Sequence, residues 1–257
     1  MSRQQIDELI NKLGKASKPY AWFEREFSLI DELKDIDFDL YNVKLLGLGV
    51  ALNSKNELCL KSKNTKIKDE IFCVVDIEST GSVKNGQIIE IGAVKIQNGK
   101  EIGYFESFVK ADEVPENISE LTGITSKMLQ NAPSLASVLN EFRIFLMDSI
   151  FVAHNVKFDY NFISNSLEKC GFGVLLNQHL CTVELSRRLI PSQKYSLATL
   201  KELLGIKNTH HRALDDAKAA TIILKHCLSK LPFYIQSTQD LLNFSKSNVK
   251  PESALLR

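Results

Sequence analysis

The sequence predicts an α/β protein, a mixed sheet flanked by helices, preceded by a small unit of helices and a β-hairpin. Three observations carry this. Five of the seven residues from Ile71 to Ile77 are β-branched or aromatic, which suits a strand buried on both faces. Two further β-rich runs, Gln87 to Ile96 and Glu101 to Lys110, are separated by the hairpin signal Asn98-Gly99, giving three consecutive antiparallel strands. Beyond residue 130 helical periodicity alternates with a short apolar run, the pattern of βα units.

Residues 1–66 read as a separate α+β unit. Ile6, Leu9, Ile10 and Leu13 fall at helical spacing before Gly14, and Trp22, Phe23, Phe27, Ile30 and Leu33 mark a second helix. A third short helix is expected over Phe38–Val43. Two strands, Leu45–Leu52 and Glu57–Leu60, are joined by the turn-forming Asn53-Ser54-Lys55-Asn56. Helices followed by a hairpin resemble a winged helix at the level of fold. Lys61, Lys63, Lys66 and Lys68, set among Ser, Asn and Thr, read as a solvated linker.

Residues 67–231 form the second unit. After its three strands, Pro115–Gln130 reads as short helical pieces broken at Gly123. Leu135, Val138, Leu139, Phe142, Phe145 and Leu146 mark one face of a helix, and Ser149–Ala153 is a short strand. A helix over Val156–Lys169 should start behind the N-cap residue Asn155 and stop at Gly171. Helical patterns follow at Val183–Leu189, Ser196–Leu204 and Ala213–Leu228. Residues 232–257 are a tail.

Composition narrows the function. The chain of 257 residues is 44% hydrophobic and 25% charged with a net charge of +1, which excludes an overall basic coat for nucleic acid but not a local site where metal ions supply positive charge. Five scattered cysteines without a CxxC pair suggest neither a zinc site nor a disulfide framework, and fit a reducing cytoplasm. No leader pattern and no run near the ~18 apolar residues of a membrane span is present, so a cytoplasmic protein without membrane association is expected.

The acids stand out against this background. Asp76 and Glu78 interrupt the apolar strand, and residues two apart on a strand share a face, so both carboxylates stand side by side at its C-terminal end before Thr80-Gly81. Two such charges need a counter-ion, and a divalent cation with a preference for oxygen ligands supplies one; ordinary solvent-exposed acids are the alternative. Asp159 follows at a helix N-terminus, beside Phe158 and Phe162, where the helix dipole alone would also favour an acid. Asp215 and Asp216 lie in an Ala-rich segment that would let a helix approach a sheet closely.

Together these stretches resemble the DnaQ-like 3′-to-5′ exonucleases, in the branch with a histidine in the third motif. The family form Asp-x-Glu-(Thr/Ser)-(Thr/Ser)-Gly is matched by Asp76 to Gly81, His-Asn-x-x-Phe-Asp by His154 to Asp159, and His-x-Ala-x-x-Asp-Ala by His211 to Ala217. Ile89-Glu90-Ile91-Gly92-Ala93-Val94, Leu121-Thr122-Gly123-Ile124-Thr125 and Tyr195-Ser196-Leu197 agree as well. Residues 71–228 carry the resemblance, which implies a ribonuclease-H-like fold. Wheel geometry alone favours Asp215, four residues from His211; the family motif selects Asp216, which holds if His211 precedes the helix. The same motif selects His211 over His210.

What the resemblance implies is a two-metal phosphodiester hydrolase. Asp76, Glu78, Asp159 and Asp216 would hold two Mg²⁺ or Mn²⁺ ions, and His211 would act as general base, releasing nucleoside 5′-monophosphates from a 3′ end. Thr80, Gly81, Thr122, His154, Asn155 and Phe158 would neighbour the terminal nucleotide. The leading expectation is an epsilon-type proofreading subunit, with single-stranded DNA 3′ ends as substrate and a DNA polymerase III catalytic subunit as partner. An RNA-trimming exonuclease of the same superfamily is the rival, followed by a silent nucleic-acid-binding scaffold. In the tail, Gln239, Leu242 and Phe244 match the Gln-x-x-Leu-x-Phe form of sliding-clamp-binding motifs; the alternative is an amphipathic helix capped by Thr238 and packed on the domain.

Overall fold

In the computed structural model, residues 2–34, 36–207 and 211–246 are described. His210, with its neighbours Asn208 and Thr209, and the tail from residue 247 lie outside the described residues.

The N-terminal unit runs α1 (Ser2–Lys15), β1 (Lys18–Pro19), α2 (Tyr20–Ser28), α3 (Leu40–Leu45), β2 (Val50–Leu52) and β3 (Glu57–Leu60). Its antiparallel sheet has the order β1-β3-β2, so the expected hairpin is extended by a two-residue strand that sequence periodicity cannot register. The order of the unit is thus helices followed by a hairpin. Two boundaries differ from expectation. The Asp39 side chain accepts from Asn42 N–H and starts the third helix at Leu40, and the left-handed Gly47 (φ 102°) turns the chain so that the strand begins only at Val50.

Phe23, Phe27, Leu33 and Leu58 form the core of this unit, and Leu176 from the larger unit enters it. Leu176 N–H donates to Leu46 O, and α3 packs on a helix of the larger unit, Leu135–Leu146 (α6). The linker is more structured than a solvated run. Two 3₁₀ turns, Lys61–Lys63 and Ile67–Asp69, occupy it, and Lys61 pairs with the buried Glu70 and with Asp148 at 3.4 Å each.

The larger unit is a five-stranded sheet of order β6-β5-β4-β7-β8, built from β4 (Ile71–Ser79), β5 (Ile88–Gln97), β6 (Lys100–Phe108), β7 (Ile150–Ala153) and β8 (His179–Cys181). β4, β5 and β6 are antiparallel, while β7 and β8 run parallel to β4. This is the mixed ribonuclease-H-like sheet. β8 has no counterpart among the expected elements, because three residues carry too little periodicity.

Between β6 and α6 lie α4 (Glu116–Thr122) and α5 (Ser126–Leu129), separated by the left-handed Gly123. One face of the sheet is covered by α6 and α7 (Val156–Lys169) over Val75, Ile77 and Phe151. The other is covered by α8 (Thr182–Leu189), α9 (Leu197–Leu203), α10 (Ala213–Ser229) and α11 (Thr238–Lys246) over Phe72, Val74 and Val94. No helix among the described residues is long and apolar enough to cross a membrane.

The tail helix α11 is part of this packing. Leu241 and Leu242 are buried, Gln239 Oε1 accepts from Ser62 Oγ (2.9 Å) and Gln178 Nε2 (3.2 Å), and the Arg188 guanidinium lies over the Phe244 ring. All three residues of the clamp-like motif are thus engaged within the fold, as the packed-helix alternative has it, although the side chain that caps the helix is that of Ser237, which accepts from Asp240 N–H, and not that of Thr238. A clamp would reach them only after α11 is released.

Candidate active site

Four chain segments meet at the C-terminal end of β4. Asp76 and Glu78 share the sheet face of Val74, which α10 covers. Asp76 pairs in register with Gly92 on β5, and a Cβ on Gly92 would collide with the backbone of Ala213 and Leu214. Only glycine lets the first turn of α10 rest on the strand there. Ala213 and Ala217 continue the close approach and carry Asp216 against the strand-end acids. A bulge at Glu78/Ser79 ends the regular pairing at the site.

Asp216, not Asp215, faces the centre. It is 6% exposed, its Oδ2 accepts from His211 N–H (3.1 Å), and its Oδ1 lies 3.4 Å from Lys201 Nζ. The wheel rule fails because His211 precedes the helix with a left-handed backbone, φ 58°. One oxygen each from Glu78 and Asp216 and one ring nitrogen of His211 lie within 4.8 Å of one another. From the opposite side of the sheet Asp159, 4% exposed, enters on the first turn of α7.

The electrostatics are those of crowded carboxylates. Burial, then the charges of Asp159, Glu78, Asp216 and Glu90, raise Asp76 well above the usual carboxylate range. Burial and Glu90 push Glu78 up to about 7. Burial pushes Asp159 up to about 8, against the pull of backbone N–H groups of its own residue and of Ile77.

Three residues with no expected role belong to this frame. Glu90, fully buried opposite Glu78, accepts from Arg212 Nε (3.1 Å) and Nη2 (2.7 Å) and from Ala213 N–H (3.0 Å). That clamp ties the start of α10, and with it His211, to β5. Lys201, 3% exposed, holds Asp216. Sequence signals for both sides exist: Glu90 is an acid inside Ile-Ile-Glu-Ile, and Lys201 sits on the apolar helix stripe of Leu197, Leu200 and Leu204.

The residues expected near a nucleotide divide into two groups. Phe158 (37% exposed) and Asn155 are open to solvent, and Thr80 and Gly81 are half-buried in a tight loop where Gly81 touches Gly86. His154 and Thr122 spend their polar atoms on bonds within the protein. His154 bonds Thr182 Oγ1 through Nδ1 (2.8 Å) and Tyr195 O through Nε2 (2.9 Å), so both ring nitrogens are engaged. The Thr122 hydroxyl donates to Ile118 O and accepts from Ile124 N–H, which shapes the turn at Gly123. Asn155 stands at the N-cap position of α7 in a left-handed conformation without a side-chain cap bond, so its amide is not used for capping.

The exonuclease family model (RNase_T) matches residues 73–224, which is more than half of the chain. The chain belongs to this exonuclease family. Among its curated relatives, the PolC-type DNA polymerase III of Clostridium perfringens is 43% identical over 167 residues, covering 63% of this chain and 12% of the relative. That of Staphylococcus aureus is 39% identical over 179 residues, covering 68% and 12%. The chain thus spans about one-eighth of the length of these relatives. Solved structures with the same fold include exonuclease X in complex with 5′ overhanging duplex DNA (TM-score 0.50, 24% identity, 68% of this chain and 99% of that chain). Exonuclease I is another, with a TM-score of 0.57, 19% identity, and coverage of 64% of this chain and 42% of that one.

Proposed function

We propose that this exonuclease is a divalent-metal-dependent 3′-to-5′ enzyme that proofreads DNA beside a DNA polymerase III catalytic subunit, in the manner of an epsilon-type subunit. The observation that carries the reading is the meeting of Asp76, Glu78, Asp159, Asp216 and His211 in one partly open, acid-rich centre. The replicase role is supported by the PolC-type relatives, and such a role belongs in the cytoplasm.

The donor set fits a hard cation. It consists of carboxylate oxygens, more numerous than the cations beside them, and burial and mutual charge raise three of them when no ion is present. Asp76, Glu78, Asp159 and Asp216 would hold two Mg²⁺ or Mn²⁺ ions. When bound, these supply a lowered pKa for the attacking water and compensation for charge on the leaving 3′ oxygen.

The chain's own groups supply the rest. His211 takes the proton of the attacking water on a ring nitrogen close to Glu78 and Asp216. The Glu90–Arg212 clamp holds the backbone on which His211 sits. Phe158 offers an exposed ring to stack on a terminal base, and Asn155 an amide for its phosphate or sugar.

The test is hydrolysis of 5′-labelled and 3′-labelled strands, matched and 3′-mismatched, as DNA and as RNA, with Mg²⁺ and with a chelator. Stepwise mononucleotide release from DNA 3′ ends, faster at mismatches and abolished by the chelator, is expected. Release from the 5′ end, or activity on RNA alone, would replace this reading.

A further inference from the structure

At the other end of the sheet, away from the acids, a groove of about 470 Å³ opens. Its floor is apolar: Ile67, Phe72, Ile96, Leu228, Leu231 and Ile235. The charged residues lining it are Lys68 and Lys225, both exposed, and neither takes part in an ion pair among the described residues. At its lip Phe233 is 90% exposed and stands edge-on to Tyr234, itself 61% exposed. The pair and the groove together make a contiguous apolar patch rather than a single surface residue, and such patches mark interaction sites. The volume is that of an ordinary ligand cleft, enough for one or two large side chains.

We propose that this groove docks an acidic segment of a partner protein, with a bulky apolar side chain seated on the apolar floor and flanking carboxylates facing Lys68 and Lys225. Charge complementarity selects the acids, since among the described residues no acidic one lines the groove. Of the lysine run ahead of β4, Lys61 is held internally by Glu70 and Asp148, whereas the exposed Lys68 lines the groove. A nucleic-acid strand fits less well. Two lysines are too few for a phosphate track, which takes on the order of six or more contacts, and the ring on the groove floor, Phe72, is only 2% exposed, so its face is not open to a base. Phe72 precedes Asp76 by four residues, on the order of 13 Å along the strand, so an occupied groove leaves the acid centre open. The site does not depend on the nuclease reading, because the outcomes that decide it are all read by binding.

The experiment uses the full chain and a fluorescein-labelled peptide, Asp-Asp-Asp-Phe-Asp-Asp, followed by anisotropy. Saturable binding with a dissociation constant on the order of 10 μM is expected, weakened by salt at about 0.5 M. Replacing the peptide's Phe by Ala, or its Asp residues by Lys, should abolish binding. In the protein, Lys68→Glu with Lys225→Glu should weaken it about tenfold or more, the scale of two lost exposed ion pairs, and Phe233→Ala should weaken it independently. Both variants should hydrolyse single-stranded DNA at the parent rate. No saturable binding, binding indifferent to the peptide's Phe or to the two lysines, or displacement by a dT10 oligonucleotide would each overturn the proposal.

Discussion

The two ends of β4 treat buried acids in opposite ways. Where the strand begins, Glu70 is 1% exposed and is answered by Lys61, with Asp148 sharing the same ammonium. Where it ends, none of the ion pairs among the described residues includes Asp76, Glu78 or Asp159. Glu90, on β5 opposite Glu78, stands at the exit end but sides with Glu70, being matched by Arg212 and a backbone N–H. A buried carboxylate with a fixed cation is a structural device; one left without a cation is poised for an ion that comes from outside. The difference can be broken by mutation in both directions.

The largest effect is expected at the exit. Asp76→Ala should lower hydrolysis by at least on the order of 10³-fold, the scale on which loss of a charge-stabilising group is felt. In metal-free protein the same change should leave the unfolding midpoint unchanged or raise it, because it removes one of several repelling charges. His211→Asn should slow the chemical step by about 10²-fold or more while metal binding, read by calorimetry, is retained. Parent-like rates in either variant would remove that residue from the site.

Next in size is the tail helix. Leu242→Ala should cost about 2–5 kcal/mol of stability, since the side chain is 2% exposed in the core that includes Leu185 and Leu224. A cost within about 0.5 kcal/mol, together with binding of a 235–246 peptide to a sliding clamp, would restore the clamp expectation for Gln239, Leu242 and Phe244.

These contrasts also explain what was legible in the sequence. Asp76 and Glu78 could be read because acids interrupt a β-branched run, a local signal. The choice of Asp216 could not be read from helix geometry, since His211 lies outside the helix in a left-handed conformation, and only the family motif selects it. Gly92 and Glu90 were visible as residues but not as roles, because what they do depends on α10, more than 100 residues away in sequence. The roles of Lys201 and Gln239 were hidden for the same reason: their partners, Asp216 and Ser62, are brought by tertiary packing. His154 and Thr122 fell on motif positions, yet their polar atoms close internal bonds that no pattern announces.

At the entrance, Glu70→Ala should leave hydrolysis unchanged and cost about 1–2 kcal/mol, a modest figure because Lys61 is 32% exposed and can be rehydrated. Loss of activity in this variant, without loss of fold, would blur the distinction between the two ends.

The smallest effect is a pH dependence, and its sign separates the two ends most sharply. Glu78 is raised to about 7 and Asp159 to about 8 in the folded, metal-free chain, whereas both titrate near 4 when unfolded. Between those values the folded state binds more protons than the unfolded one, so stability falls as pH rises. The contribution is fully present below pH ~4 and is lost as pH climbs through 7 and 8. Metal-free protein should therefore lose a few degrees of unfolding temperature between pH 6 and pH 8.5, an order-of-magnitude expectation for titrations of this size. Mg²⁺ competes with those protons for the same oxygens, so the stabilisation it adds should be larger at pH 8.5 than at pH 6. Asp76→Asn should flatten the metal-free profile, because one of the charges facing the others is gone, whereas Glu70→Ala should leave its slope unchanged. An unfolding temperature that holds steady or rises over this range in the parent would mean that the exit acids already have fixed cations, and the contrast between the two ends of β4 would fail.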